Sequence, residues 1–147
     1  MLQKNIATAK SKLELIGCYL KRLREFENIG FDDYLSNFKN QLIVERLLEI
    51  IIKAAIELNK DILSNLNLEK SFTKSEAFFE LSKSKIISSK LAEKLVSSSK
   101  LRNQLIYKYY DIDNKKVFNT INFALQQYPL YVEQVNEYLI SLDVDND

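Results

Sequence analysis

A chain of 147 residues suits one domain and can bury a core without disulfides or metal. With 21 basic against 20 acidic residues the net charge is +1, which excludes a global field for nucleic acid or membrane and leaves only local patches. No histidine is present, which excludes His-ligated zinc, Ser–His triads and any imidazole base, and 2 Gly with 1 Pro leave few turn residues for a sheet.

In chain order, Leu2, Ile6, Ala9, Leu13, Ile16, Leu20 and Leu23 recur every three or four residues and predict a first helix to about Glu27. Gly30 is expected to close it in the left-handed conformation, and Asp32 or Asp33 to cap the next. A second helix is predicted from about Tyr34 to Asn65, with Leu35, Phe38, Leu42, Ile43, Leu47, Ile50, Ile51, Ala54 and Leu58 as its stripe. Thr73-Lys74-Ser75-Glu76 reads as a capping box opening a short third helix with Ala77, Phe78 and Leu81 inward. A fourth runs from a cap at Ser88 or Ser89 to about Tyr109, where Asp111-Ile112-Asp113-Asn114 breaks it. Asp113 can cap a fifth helix, striped by Val117, Ile121, Ala124, Tyr128, Tyr131, Val135, Tyr138 and Leu142, with a kink expected near Pro129. The acidic end, 143–147, is expected to fray. Short connections between long helices make an antiparallel all-α bundle of four to five helices with a kinked last helix, residues 1–147 forming one domain.

The lone Cys18 fits a reducing cytoplasm and is expected in the core. There is no signal-peptide pattern, and no run approaches the ~18 apolar residues of a membrane span. Glu45 and Arg46, on the second helix, are expected to pair with neighbours. Chemistry concentrates between Leu101 and Asp113, where Arg102 and Lys108 sit among Tyr107, Tyr109 and Tyr110 beside polar breakers. A plain helix C-terminus would also gather cations and half-buried tyrosines.

That stretch resembles the signature of the HepT-like branch of the HEPN superfamily: an Arg, a polar residue, a His after about four more, and a Tyr two further on. Arg102 and Asn103, the apolar pair Leu105 and Ile106, and Tyr109 match it; Tyr107 stands where the family usually has histidine. Residues Gln41 to Ile50, continuing through Ala54-Ala55-Ile56-Glu57, are similar to the family's second helix, and Ser75 to Leu81 and Asp111-Ile112-Asp113 extend the likeness, which covers about Gln41 to Leu142.

The resemblance implies a cytoplasmic toxin that cleaves RNA without metal or other cofactor, as a homodimer whose site is shared across the two-fold axis. It implies Arg102, Asn103 and Tyr107 as catalytic residues, with Lys100, Lys108 and Tyr110 as possible RNA contacts. It also implies a partner antitoxin, a minimal nucleotidyltransferase that transfers AMP to the Tyr109 hydroxyl. Arg102 suits the charge that builds on a five-coordinate phosphorus. A phenol ionises near pH ~10, so Tyr107 is a poor base, and it is expected to serve as proton donor or phosphate-binding hydroxyl with reduced activity. Along a straight helix Tyr107 is turned about 140° from Arg102, while Tyr109 falls within about 20° of it. A shared dimer site, or a helix that unwinds near Tyr107, is required to bring both to one phosphate. Two other readings are a non-catalytic helical subunit that binds nucleotide or substrate for a nucleotidyltransferase, and a plain helical scaffold.

Overall fold

The computed structural model describes residues 3–68 and 72–145, with side chains to residue 143. Among them are six α-helices and no strand: α1 Gln3–Leu23, α2 Phe31–Ser36, α3 Phe38–Asn65, α4 Lys74–Lys83, α5 Ser89–Tyr107 and α6 Asn114–Asp145. Short 3-10 turns follow α1 (Arg24–Phe26) and α5 (Tyr109–Asp111).

α1 packs along α3 and α6, while α5 packs across α3 and α6 and carries α4 on its flank. Cross-helix bonds set the directions. Lys12 in the middle of α1 pairs with Asp61 late in α3 at 2.6 Å, and Lys10 pairs with Asp143 near the end of α6. α1 therefore runs antiparallel to both. Ser88, which caps α5, donates its amide to Gln134 far along α6, so α5 and α6 are antiparallel as well.

The α1 stripe is buried as its spacing dictates: Ile6, Ala9, Leu13, Ile16, Leu20 and Leu23 all face the core, and Leu2 lies outside the described residues. Cys18 is exposed, contrary to expectation, because it sits two residues from both Ile16 and Leu20, about 200° off the buried stripe.

The expected second helix is two helices. Asn37 leaves helical space (φ −121°, ψ 93°) and its side chain accepts from the Asn40 amide, capping α3 afresh. That break resets the phase. Tyr34, Gln41, Val44 and Leu48 turn inward, while Leu35, Phe38 and Leu42, expected in the core, are 45–70% exposed. Gln41 holds the corner by donating to the carbonyls of Tyr34 and Leu35. Gly30 does not take the left-handed conformation; it is the N-cap of α2 at φ −74°, and Asp32 and Asp33 sit in that helix's first turn.

The left-handed positions fall elsewhere, at Asn67 (φ 60°) and Lys85 (φ 61°). Each closes a helix the same way. Leu68 and Asn67 donate to Leu63 and Ser64 after α3, and Ile86 and Lys85 to Leu81 and Ser82 after α4. Ile86 then buries itself against the core, which holds the turn without glycine.

Thr73 caps α4, Ser88 caps α5, and Asp113 accepts from the amides of Lys115 and Lys116 at the start of α6. α6 continues through Pro129 to Asp145, into the stretch expected to fray; 146–147 lie outside the described residues. The core between α3 and α6 contains Tyr131, which donates to Asn59 and lies against the Ala55 carbonyl. Tyr128 and Ser98 are buried beside it, their hydroxyls set against one another without a well-formed hydrogen bond.

Candidate active site and nucleic-acid groove

Where α3, α4 and α5 meet, the surface opens into a groove of about 710 Å³. α3 contributes one face at helical spacing, Lys53, Ile56, Glu57, Lys60, Leu63 and Ser64. The first turn of α4 supplies Lys74 and Ala77, and the last turns of α5 supply Arg102 and Tyr107. Leu68, Phe72 and Thr73, from the connection between α3 and α4, complete the wall.

Arg102 is partly buried, and its Nε is fully buried without a hydrogen-bond partner. It makes no ion pair among the described residues; nor do Lys60 and Lys74. The groove's carboxylate, Glu57, lies within 4.0 Å of both Lys12 and Lys53, so its charge is already matched. The outcome is a concave surface that gathers three cations without an ion-pair partner among the described residues, beside apolar side chains. It attracts an anion, and the guanidinium in its wall has donors left to give.

Tyr107 ends α5. Lys108 steps out of helical space at φ −125°, ψ 37°, and the chain turns into Tyr109–Asp111. The helix thus stops two residues short of the expected boundary, but the break falls after Tyr107, so the stretch from Arg102 to Tyr107 stays helical and is not unwound. Both line the groove within one chain.

The other expected site residues are not in that groove. Asn103 and Lys108 are exposed and outside its lining. Tyr109 and Tyr110 are 73% and 80% exposed, ring edge to ring face at 5.9 Å, on the turn beyond the helix. Lys100 lines a separate depression of about 520 Å³ between α5 and α6, with Lys116 and Asp113. Arg46 pairs with Glu49 at 3.1 Å; Glu45, half-buried, has no partner among the described residues, and burial raises its carboxyl above the usual range.

Lys53, Lys60 and Lys74 were not singled out from the sequence. For the two lysines of α3 a signal was present, since Lys53, Glu57, Lys60 and Ser64 repeat every three or four residues as a polar stripe. Lys74 gave none, because its place in the groove depends on how α4 docks.

A helical bundle with a guanidinium, lysines and a phenol lining one open groove presents a surface suited to an anion such as phosphate. The chain belongs to the ribonuclease HepT-like family of the HEPN superfamily, whose pattern matches residues 16–135, and its activity is that class's, endoribonucleolytic. Among its relatives is a tRNA nuclease HepT of Aphanizomenon flos-aquae, 56% identical over 138 residues, with 94% of each chain covered. The fold is shared with the cytosolic protein YutE of Bacillus subtilis (TM-score 0.80, 12% identity, 92% of this chain and 90% of that one). It is shared also with a tri-AMPylated HEPN toxin of Shewanella oneidensis, solved in complex with its MNT antitoxin (TM-score 0.75, 18% identity, 93% and 99% covered). Among the described residues, no helix is long and apolar enough to cross a membrane.

Proposed function

We propose that this chain is the toxin of a type VII-like toxin–antitoxin pair, a metal-independent endoribonuclease that cuts tRNA. The observation that carries the reading is the presence of Arg102 and Tyr107 on one cationic groove, in a chain 56% identical to a tRNA nuclease. The ribose 2′-oxygen attacks the adjacent phosphorus, the bond to the 5′-oxygen breaks, and a 2′,3′-cyclic phosphate is left. Arg102 donates two parallel hydrogen bonds to the non-bridging oxygens as charge builds on them. Tyr107 gives its hydroxyl proton toward the departing 5′-oxygen, and water takes the proton of the 2′-hydroxyl.

The working form is a homodimer in which an Arg-x4-Tyr-x-Tyr segment of each copy meets its mate. Asn103, turned to solvent, then reaches the partner's substrate, and Lys108, Tyr110 and Lys100 contact flanking RNA. A cognate MNT-type nucleotidyltransferase silences the toxin by transferring AMP to Tyr109. The exposure of that hydroxyl, and the AMP-bearing toxin whose fold this chain shares, support the modification. AMP adds negative charge near Arg102 and competes with RNA for it.

Purified chain incubated with tRNA in excess EDTA tests the nuclease, and cleavage lost in Arg102→Ala supports it. Intact tRNA at every enzyme ratio, or cutting that needs added divalent ion, counts against it. Incubation with the cognate nucleotidyltransferase, Mg²⁺ and ATP, read by intact mass, tests the regulation. A mass gain that survives in Tyr109→Phe removes Tyr109 as the target.

A further inference from the structure

The groove is larger and less polar than a phosphate alone requires. Besides its cations the groove is lined by apolar side chains, Ile56, Leu63, Leu68, Phe72 and Ala77. Its other cations without an ion pair among the described residues, Lys60 and Lys74, come from the two other helices rather than from α5. Lys74 is the first residue of α4, and Thr73 already satisfies the Glu76 amide. The Lys74 and Ser75 amides, in the first turn, have no partner inside the helix. A surface that only tracks a phosphate backbone needs cations alone; one that only docks a protein helix has no use for three cations that find no ion pair among the described residues. Cations and apolar side chains together match a nucleotide unit, with its charged phosphate and flat, weakly hydrated base.

We propose that this groove is a nucleotide-binding subsite of the enzyme, in which Lys60 and Lys74 hold the phosphate next to the scissile one and Phe72 stacks on an unpaired base. The proposal rests on the reading of Arg102 as the group at the scissile phosphate. It adds a requirement: the RNA enters single-stranded at this point, because a base held in a helix cannot present its face to Phe72. It also makes Phe72 a positioning residue, acting on where the strand lies rather than on the reacting atoms.

The test is binding of a short single-stranded RNA with every 2′-oxygen methylated, which keeps phosphates and bases but lacks the nucleophile. Affinity is read by fluorescence anisotropy across a salt series, with the full chain. Replacing both Lys60 and Lys74 by Gln is expected to raise Kd about tenfold and to lower the slope of log K against log salt by about 0.7, the contribution of one phosphate on a single strand. Phe72→Leu keeps the apolar volume and loses the stacking face, so Kd rises about tenfold with the salt slope unchanged. Phe72→Trp restores wild-type affinity. Lys90→Gln, on an exposed position of α5 outside the groove, changes neither quantity.

Wild-type affinity and slope in the lysine variant overturn the phosphate half of the proposal, and wild-type affinity in Phe72→Leu overturns the base half. A wild-type chain that does not bind the methylated strand overturns both, whatever it does to tRNA. If the strand binds with the expected pattern while unmodified tRNA stays intact, the subsite stands and the nuclease reading falls.

Discussion

Arg102 and Tyr107 line one groove from positions five residues apart on α5, a rise of about 7.5 Å and a turn of about 140°. Lys108 then departs from helical dihedrals and the chain leaves in a 3-10 turn, with Tyr107, the last helical residue, 68% exposed. A half-buried guanidinium and an exposed phenol therefore line the same groove.

Arg102→Ala is expected to slow single-turnover cleavage of tRNA by about 10²–10³-fold, the usual cost of losing one preorganised charge-stabilising group. Arg102→Lys keeps the charge and loses the planar fork, so it falls between the two. Because the buried Nε has no partner to strand, the alanine variant should melt close to wild type. An alanine variant that cuts at the wild-type rate removes Arg102 from the reaction.

Tyr107→Phe retains the ring and removes the proton. Its rate is expected to drop about 10²-fold with little change in KM. Tyr107→His introduces the chain's first imidazole, and with it a base whose ordinary pKa is near ~6.5. Cleavage by that variant should exceed wild type and acquire a pH dependence between about 5 and 8 that wild type lacks. A histidine variant slower than wild type at every pH would show that the hydroxyl, not proton transfer, is what the position supplies.

Much of the fold was legible in the sequence. The α1 stripe and the Thr73 and Ser88 caps follow from residue spacing and cap chemistry, which are local. What failed to read was decided by tertiary packing. Asn37 carries no mark that distinguishes a helix break from a polar helical residue, and without that break Leu35, Phe38 and Leu42 look like core. Lys85 is an unexpected residue for a left-handed position; burial of Ile86 one residue later is what holds it there. The groove itself joins three helices distant in sequence, and only its α3 face leaves a periodic trace.

Lys85 offers a direct measure of that strain. A side chain at φ 61° costs about 1 kcal/mol that glycine avoids, so Lys85→Gly should stabilise the chain by about that amount, less the extra freedom glycine gives the unfolded state. Urea unfolding gives the comparison. The same change at Asn67, a residue better suited to the left-handed region, should yield less. Equal gains at the two positions would mean that the Schellman contacts, rather than the residue's own preference, set the energy.

The buried tyrosines predict how the fold responds to alkali. Tyr34, Tyr128 and Tyr131 are at most 1% exposed. Burial raises the hydroxyl pKa of all three, assisted by the Glu45 carboxylate at Tyr34 and by Tyr128 at Tyr131. Their folded values lie above the unfolded ~10, so the unfolded chain releases these protons first. Their contribution is therefore fully present below pH ~10 and is lost as pH rises from there through the folded values, at up to about 1.4 kcal/mol per pH unit for each tyrosine. Lysines also titrate in this range, and two variants isolate the phenols. Tyr131→Phe strands the buried Asn59 side-chain oxygen, costing about 1–3 kcal/mol at pH 7. Tyr128→Phe removes a hydroxyl set against the Ser98 hydroxyl without a well-formed hydrogen bond, so it should cost less at pH 7 than Tyr131→Phe. Both should make the alkaline loss shallower by one tyrosine's share. Denaturant midpoints measured from pH 7 to 11 decide the matter: if Tyr128→Phe falls as steeply as wild type above pH 10, that phenol ionises without opening the core.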